Sequence, residues 1–162
     1  MRGPRSRAVL GVALVVASVA AGCGGSGYTK SDFIARADAI CAGALRQTRS
    51  ISPPGAAQAG SGQDGALSAY LSSVVPVLES EAAQLRALRR PPGDAREQAT
   101  LERYFAALTQ TVRYYQALAS AAKRGDDQAV AGAETVLGAS PVYSLAATYG
   151  LRSCGTPGAT TA

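Results

Sequence analysis

The chain has 162 residues, of which sixteen are basic, eleven are acidic and none is histidine or tryptophan, and its only methionine is Met1. The absence of histidine excludes Ser-His-Asp and Cys-His catalytic sites, histidine-based zinc or di-iron centres and haem ligation by histidine. We therefore expect no cofactor and no metal, and no activity that depends on a strong nucleophile–base pair.

The first 22 residues have the pattern of a secretory signal peptide. Three arginines, Arg2, Arg5 and Arg7, precede an uncharged stretch from Ala8 to Gly22 that ends in small residues. This is the usual order of a basic lead, an apolar run and a cleavage region. The apolar run is shorter than the about 20 residues that a membrane-spanning helix needs. We expect residues 1–22 to be removed from the mature protein.

The residues Ala20-Ala21-Gly22-Cys23 resemble the lipobox of bacterial lipoproteins, in which small residues precede the cysteine that becomes the mature N-terminus. The resemblance implies a diacylglyceryl thioether on Cys23, cleavage before it and a further acyl chain, such as palmitate, on the new amine. Three residues before the cysteine, that family most often has leucine, whereas this chain has Ala20. The alternative is an ordinary signal cleaved after Ser18-Val19-Ala20, which leaves Cys23 as an unpaired thiol.

The glycine-rich residues that follow Cys23 suit a tether. Gly24-Gly25-Ser26-Gly27 is a flexible segment, and two acyl chains hold a protein on a bilayer far better than one. We interpret residues 23–28 as a lipidated tether. The prediction is a protein anchored by lipid at the extracytoplasmic face of the cell membrane.

The mature chain of 140 residues has the size of one domain. Three of the sixteen basic residues lie in the leader. The mature chain therefore has thirteen basic and eleven acidic residues, a net charge of +2. This weak positive charge gives no support to nucleic-acid binding. Cys41 and Cys154 remain as an even pair in an exported chain, which predicts a disulfide bond.

Helical spacing of apolar residues predicts an all-α fold. Capping boxes at Thr29–Asp32 and Asp94–Glu97 begin two of the helices, and proline-rich turns separate the first three. The predicted helices run from Thr29 to about Ile51, from Asp64 to Arg90, from Asp94 to Arg124, from Asp126 or Asp127 to about Leu137, and from Pro141, as first helical residue, to the Gly150 cap. They form a single antiparallel bundle of three long helices plus a broken fourth arm, with residues 29–155 as the domain and 156–162 as a disordered tail.

The layout resembles small exported lipoproteins of high-GC actinobacteria. The resembling residues are the segment from Phe33 to Cys41, the Pro-Pro turn between Leu88 and Asp94, and the segment from Ala147 to Gly155. The resemblance covers most of residues 28–155. It implies the helical architecture and supplies no mechanism.

Glu81 is a candidate contact because it falls inside the apolar stripe of the second helix. A buried carboxyl can have a raised pKa and act as a general acid. Pro76 disturbs the helical phase just before it, so we favour a rim position or a structural ion pair over a catalytic role.

Aromatic and basic residues supply the other candidate ligand or partner contacts. A groove lined by tyrosines would suit a sugar, lipid or aromatic ligand, but most tyrosines lie near apolar stripes, and Tyr114 alone points away from its stripe. Arg89 and Arg90, with Arg86 and Arg96, surround the Pro91–Pro92 turn and could meet phosphates, although the helix dipole also favours cations there. Asp126 and Asp127 are better explained by helix capping than by a metal.

These observations favour a non-enzymatic binding or scaffolding module of the cell envelope. Its expected partners are the membrane through the anchor and an envelope protein, glycan or lipid. The alternative is an envelope enzyme that acts on glycans or lipids through carboxylate and tyrosine residues. Two carboxylates converging in a cleft would favour the enzyme, and a filled bundle core with no cleft would favour the non-enzymatic module.

Overall fold

The computed structural model describes residues 27–55 and 63–157. The predicted signal peptide, Cys23 with most of its tether, loop residues 56–62 and tail residues 158–162 lie outside these ranges. The described part contains five α-helices and no strand, which confirms the all-α fold. The helices are α1 (Lys30–Ser50), α2 (Gln63–Ala87), α3 (Ala95–Arg124), α4 (Asp127–Gly138) and α5 (Val142–Tyr149).

Side-chain caps begin α1, α3 and α4 where the sequence predicts them. The Thr29 hydroxyl accepts a hydrogen bond from the Asp32 N–H at 3.1 Å, and the Asp32 carboxylate accepts one from the Thr29 N–H at 2.9 Å. Asp94 forms the same reciprocal box with Glu97 at the start of α3. Of the two adjacent aspartates before α4, Asp126 is the cap. Each cap satisfies amide donors that have no partner inside the helix.

Two predicted boundaries are wrong by a few residues. Helix α2 ends at Ala87 rather than Arg90, because a residue that precedes a proline is disfavoured in helical conformation and Pro91–Pro92 follow closely. Pro141 is the N-cap of α5 rather than its first helical residue. Helix α2 continues through Pro76.

The helices pack around α3, which contacts α2, α4 and α5, while α1 packs on α2. Two hydrogen bonds fix the direction of the α2–α3 pair. Arg86 Nη2 donates to Thr109 Oγ1 at 2.9 Å, and Gln116 Nε2 donates to Glu79 Oε1 at 2.6 Å. Residue numbers fall along α2 as they rise along α3, so these two helices are antiparallel, as the bundle prediction requires.

The predicted disulfide between Cys41 and Cys154 is confirmed. It joins the middle of α1 to the segment after α5, with the two Cα atoms 5.1 Å apart across 113 residues of sequence. Gly150, at a φ of 104°, ends α5 in the left-handed conformation that favours glycine. Leu151 then turns inward and is fully buried.

Buried side chains form two separate hydrophobic clusters. The first cluster joins α1, the C-terminal part of α2, the N-terminal half of α3, α5 and the disulfide; its largest members are Phe33, Leu85, Leu101, Tyr104 and Leu151. The second cluster joins the N-terminal half of α2 to the C-terminal half of α3 and consists of Leu71, Tyr115, Leu118 and Ala122. Helix α4 contributes no buried residue to either cluster. Its Val130, Ala133 and Leu137 pack only partly buried against the second.

Candidate functional site

A groove of about 550 Å³ runs between α2, α3 and α4. We call it the tyrosine groove, because three tyrosines from three different helices line it. Its volume lies within the range of about 300–1,000 Å³ that is usual for small-molecule sites. The lining residues are Pro53, Leu67, Tyr70, Leu71, Thr111, Tyr115, Leu118, Glu134, Leu137, Gly138, Ser140, Tyr143 and Pro157.

Helical periodicity and the shallow seating of α4 together produce the groove. Residues three and four apart share a helix face, so Leu67 and Leu71 face the groove from α2, and Thr111, Tyr115 and Leu118 face it from α3. Helix α4 would close this side of the bundle, but none of its side chains is buried. The space between the three helices is therefore not filled by side chains.

A smaller pocket of about 50 Å³ adjoins the groove and shares Tyr70, Tyr115 and Tyr143 with it. Since one water occupies roughly 10–15 Å³ on this measure, the pocket has room for a few waters only. Its remaining wall comes from α1, α2 and the C-terminal segment, and includes Thr48 and Glu81. The pocket is a small, mostly apolar extension of the groove.

Glu81 is half-buried in the wall of this pocket. Burial raises the pKa of its carboxyl to about 7, because a low-dielectric surrounding disfavours the charged form. Burial also raises the pKa of Tyr104, and the nearby Glu81 carboxylate raises it further. The ion pairs among the described residues are Lys30–Glu97 at 2.8 Å and Arg124–Asp126 at 3.9 Å, and neither includes Glu81. Glu81 is the only carboxylate in the pocket lining.

Tyr114 does not line the tyrosine groove. It is half-buried and lines an open groove of about 640 Å³ with Arg103, Val136, Pro141 and Leu145. The sequence placed Tyr114 off the apolar stripe of α3 because that stripe faces α2. Helices α4 and α5 also pack on α3, and residues from both helices lie beside Tyr114.

Arg89 and Arg90 lie at the end of the bundle nearest the predicted tether. The guanidinium carbons of Arg36 and Arg89 lie 5.5 and 5.6 Å from the centroid of the Tyr28 ring. The Arg90 guanidinium carbon lies 3.7 Å from the centroid of Phe105. These distances are typical of cation–π contacts. We call Tyr28, Arg36 and Arg89 the arginine–tyrosine cluster; it does not meet the tyrosine groove.

Asp38 is a structural residue that the sequence analysis did not single out. Its carboxylate accepts hydrogen bonds from the N–H groups of Ser153 at 2.8 Å and Arg152 at 3.1 Å, with a longer one from Cys154 at 3.4 Å. It precedes Cys41 by three residues, which places both side chains on one face of α1. That spacing is the only signal in the sequence, since the partners are backbone amides of a distant segment.

The described residues contain no group of three or more cysteine, aspartate or glutamate side chains placed to hold a metal ion. None of the described helices is long and apolar enough to cross a membrane. Comparisons with protein-family profiles, with curated proteins and with solved structures found no match for this chain.

Proposed function

We propose that this protein is a lipid-anchored module of the cell envelope whose tyrosine groove binds a small ligand with an apolar body and polar ends. The groove is the observation that carries the binding role. Leu67, Leu71, Leu118 and Leu137 line it with apolar side chains, and Tyr70, Tyr143 and Glu134 line it with side chains that carry a polar group. Ligand sites typically combine an apolar lining with a few polar groups that orient the ligand.

The lipid anchor is supported by the sequence alone, through Cys23 and its flanking residues. Intact mass spectrometry of the membrane-extracted protein tests it. We expect a chain that begins at Cys23 and carries acyl groups, and we expect Cys23→Ser to be released from the membrane or to stall before processing. Recovery of an unmodified chain that begins elsewhere contradicts the anchor.

A single tryptophan introduced beside the groove tests the binding role. A Cβ atom added at Gly138, which lines the groove, meets no atom within 4 Å, and the same is true at Gly132 on the same helix, which does not line it. The natural chain has no tryptophan, so each variant carries one reporter. Titration with decanoate should shift the fluorescence emission of Gly138→Trp to shorter wavelength and leave Gly132→Trp unchanged. Equal responses, or none, would contradict binding in the groove.

The second candidate function is an enzyme in which Glu81 acts as general acid. The observation that favours it is a carboxyl whose pKa of about 7 keeps it partly protonated at neutral pH. Hydrolysis of p-nitrophenyl esters or glycosides that is lost in Glu81→Gln and kept in Glu79→Gln would support this role. Glu79 is a suitable control because it lies on the same helix and is exposed. No hydrolysis, or hydrolysis that survives in Glu81→Gln, would contradict it.

A further inference from the structure

We propose that the arginine–tyrosine cluster docks on the anionic surface of the membrane, with the guanidinium groups of Arg36 and Arg89 against lipid phosphates. The inference rests on the proposed lipid anchor and goes beyond it. It assigns a second membrane contact and a fixed orientation of the bundle.

The cluster presents its charge outward. Arg36, Arg89 and the neighbouring Arg90 are exposed, and none lies within ion-pair distance of a carboxylate among the described residues. The Tyr28 ring, packed against the first cluster, holds two of these guanidiniums on its flanks. Arginine forms paired hydrogen bonds with phosphate. The Tyr28 hydroxyl is itself buried, so the two guanidinium groups are the part of the cluster that meets the membrane.

Most acidic side chains at the same end of the bundle bind groups of the protein itself. Asp32 and Asp94 cap their helices, and the Glu97 carboxylate accepts a hydrogen bond from Lys30 Nζ at 2.8 Å. Glu102 lies near Arg90 and Asp32 lies near Arg36, but neither forms an ion pair with its neighbour. The unpaired arginines therefore give this end an outward positive charge, which suits an anionic lipid surface.

The tether keeps the cluster close to the bilayer. Cys23 precedes Tyr28 by five residues, which span at most about 18 Å when fully extended. Electrostatic attraction acts over about 8 Å at physiological ionic strength. A chain anchored at Cys23 thus brings Arg36 and Arg89 within reach of lipid headgroups, where each basic residue contributes about a fivefold gain in affinity.

Docking at this end leaves the tyrosine groove at a distance from the membrane surface. The cluster adjoins the C-terminal end of α2, whereas Leu71 in the groove lies sixteen residues earlier on the same helix. At 1.5 Å per residue, the groove is about 24 Å from the docking end. The groove would remain open to ligands outside the bilayer.

Hydrogen exchange on the full processed protein tests the proposal. The membrane-extracted chain is reconstituted into vesicles of phosphatidylcholine alone, or of phosphatidylcholine and phosphatidylglycerol in equal parts. We expect amides in residues 28–36 and 88–94 to exchange several-fold more slowly on the anionic vesicles. Arg36→Gln/Arg89→Gln should lose this protection, and Arg36→Lys/Arg89→Lys should keep most of it.

The matched control is Arg46→Gln/Arg113→Gln, which removes the same charge from two exposed positions outside the cluster. It should leave the protection unchanged. Circular dichroism checks that each variant is folded; if the glutamine variant is not, loss of protection at high salt in the wild type replaces it. Equal protection on both vesicles, or equal loss in the control, overturns docking.

Intact mass of the same sample separates the two proposals. An acylated chain with equal protection on both vesicles overturns docking and leaves the anchor standing. A chain without acyl groups overturns the anchor. Its co-sedimentation with anionic vesicles then decides docking, which is supported if Arg36→Gln/Arg89→Gln abolishes binding and is overturned if the wild type does not bind.

Discussion

The bundle has two halves that differ in how they are held together. We call the half built on the first cluster the stapled half and the half built on the second cluster and α4 the groove half. In the described residues, the first cluster contains fourteen buried residues and the second contains four. The disulfide and the Asp38 hydrogen bonds both lie in the stapled half. The comparison indicates that the stapled half carries the stability of the fold, whereas the groove half leaves space for a ligand.

The largest expected effect comes from the disulfide. Cys41→Ala/Cys154→Ala should lower the free energy of unfolding by about 4–5 kcal/mol, because the bond closes a loop of more than 100 residues and restricts the unfolded chain. Urea denaturation of the variant and of the oxidised wild type measures the difference. Reduced wild type should match the variant. A loss below about 1 kcal/mol would mean that the bond does not support the stapled half.

Glu81 tests the boundary between the halves, since its pocket is lined by residues from both. Its folded pKa of about 7 lies above the ordinary 4.5, so the folded state keeps the proton at pH values where the unfolded state has lost it. The stabilising effect of the neutral form is complete below pH 4.5 and is lost as pH rises to 7.

Glu81→Gln removes this dependence and should stabilise the protein by up to about 3 kcal/mol above pH 7, with little effect at pH 4. Urea denaturation across this pH range is the measurement. Glu79→Gln is the control: the residue is exposed on the same helix, and its amide oxygen can still accept the hydrogen bond from Gln116 Nε2, so the change should have little effect at any pH. A Glu81→Gln profile that parallels the wild type would contradict the buried position of this carboxyl.

Asp38 provides the second attachment of the C-terminal segment. Asp38→Asn keeps one carbonyl acceptor but loses the negative charge that strengthens the hydrogen bonds from Arg152 and Ser153. We expect it to lower the free energy of unfolding by about 2 kcal/mol. Urea denaturation gives the cost, and hydrogen exchange at residues 152–154 locates it. Asp127→Asn, which is exposed in the first turn of α4, should cost less than about 0.5 kcal/mol. Equal costs would argue against a structural role of Asp38.

The smallest effect comes from one substitution made in each half. Val142 in α5 is 4% exposed and belongs to the first cluster, whereas Val136 in α4 is 39% exposed. Val142→Ala should lower the free energy of unfolding by about 1–2 kcal/mol, and Val136→Ala should lower it by less than about 0.5 kcal/mol. Thermal or urea denaturation compares them directly. A similar cost at both positions would remove the distinction between the halves.

Local signals in the sequence account for most of the fold. Capping residues at Thr29, Asp94 and Asp126 and proline-rich turns set the helix ends, and the even cysteine pair predicted the disulfide. Asp38 could not be recognised, because it binds backbone amides more than 100 residues away. Periodicity placed Glu81 within the apolar stripe of α2, but the disturbance at Pro76 favoured a rim position or an ion pair. Neither ion pair among the described residues includes Glu81, and burial explains its raised pKa.

The two grooves depend on tertiary packing and could not be predicted from the sequence. Tyr70, Tyr115 and Tyr143 belong to three helices, and no spacing along the chain shows that they line one cavity. The position of α4 determines the shape of the tyrosine groove, and it also determines how far Tyr114 is covered. The apolar pattern of α4 predicts a helix but not how deeply that helix packs. In the structure, α4 contributes no buried side chain.

Native-state hydrogen exchange of the processed protein tests most directly whether one half carries the fold. We predict that amides of α1, α5 and the N-terminal half of α3 exchange only through unfolding of the whole domain. Amides of α4 should exchange through local openings, with an opening free energy at least about 2 kcal/mol lower. Protection in α4 equal to that in α1 would contradict the account.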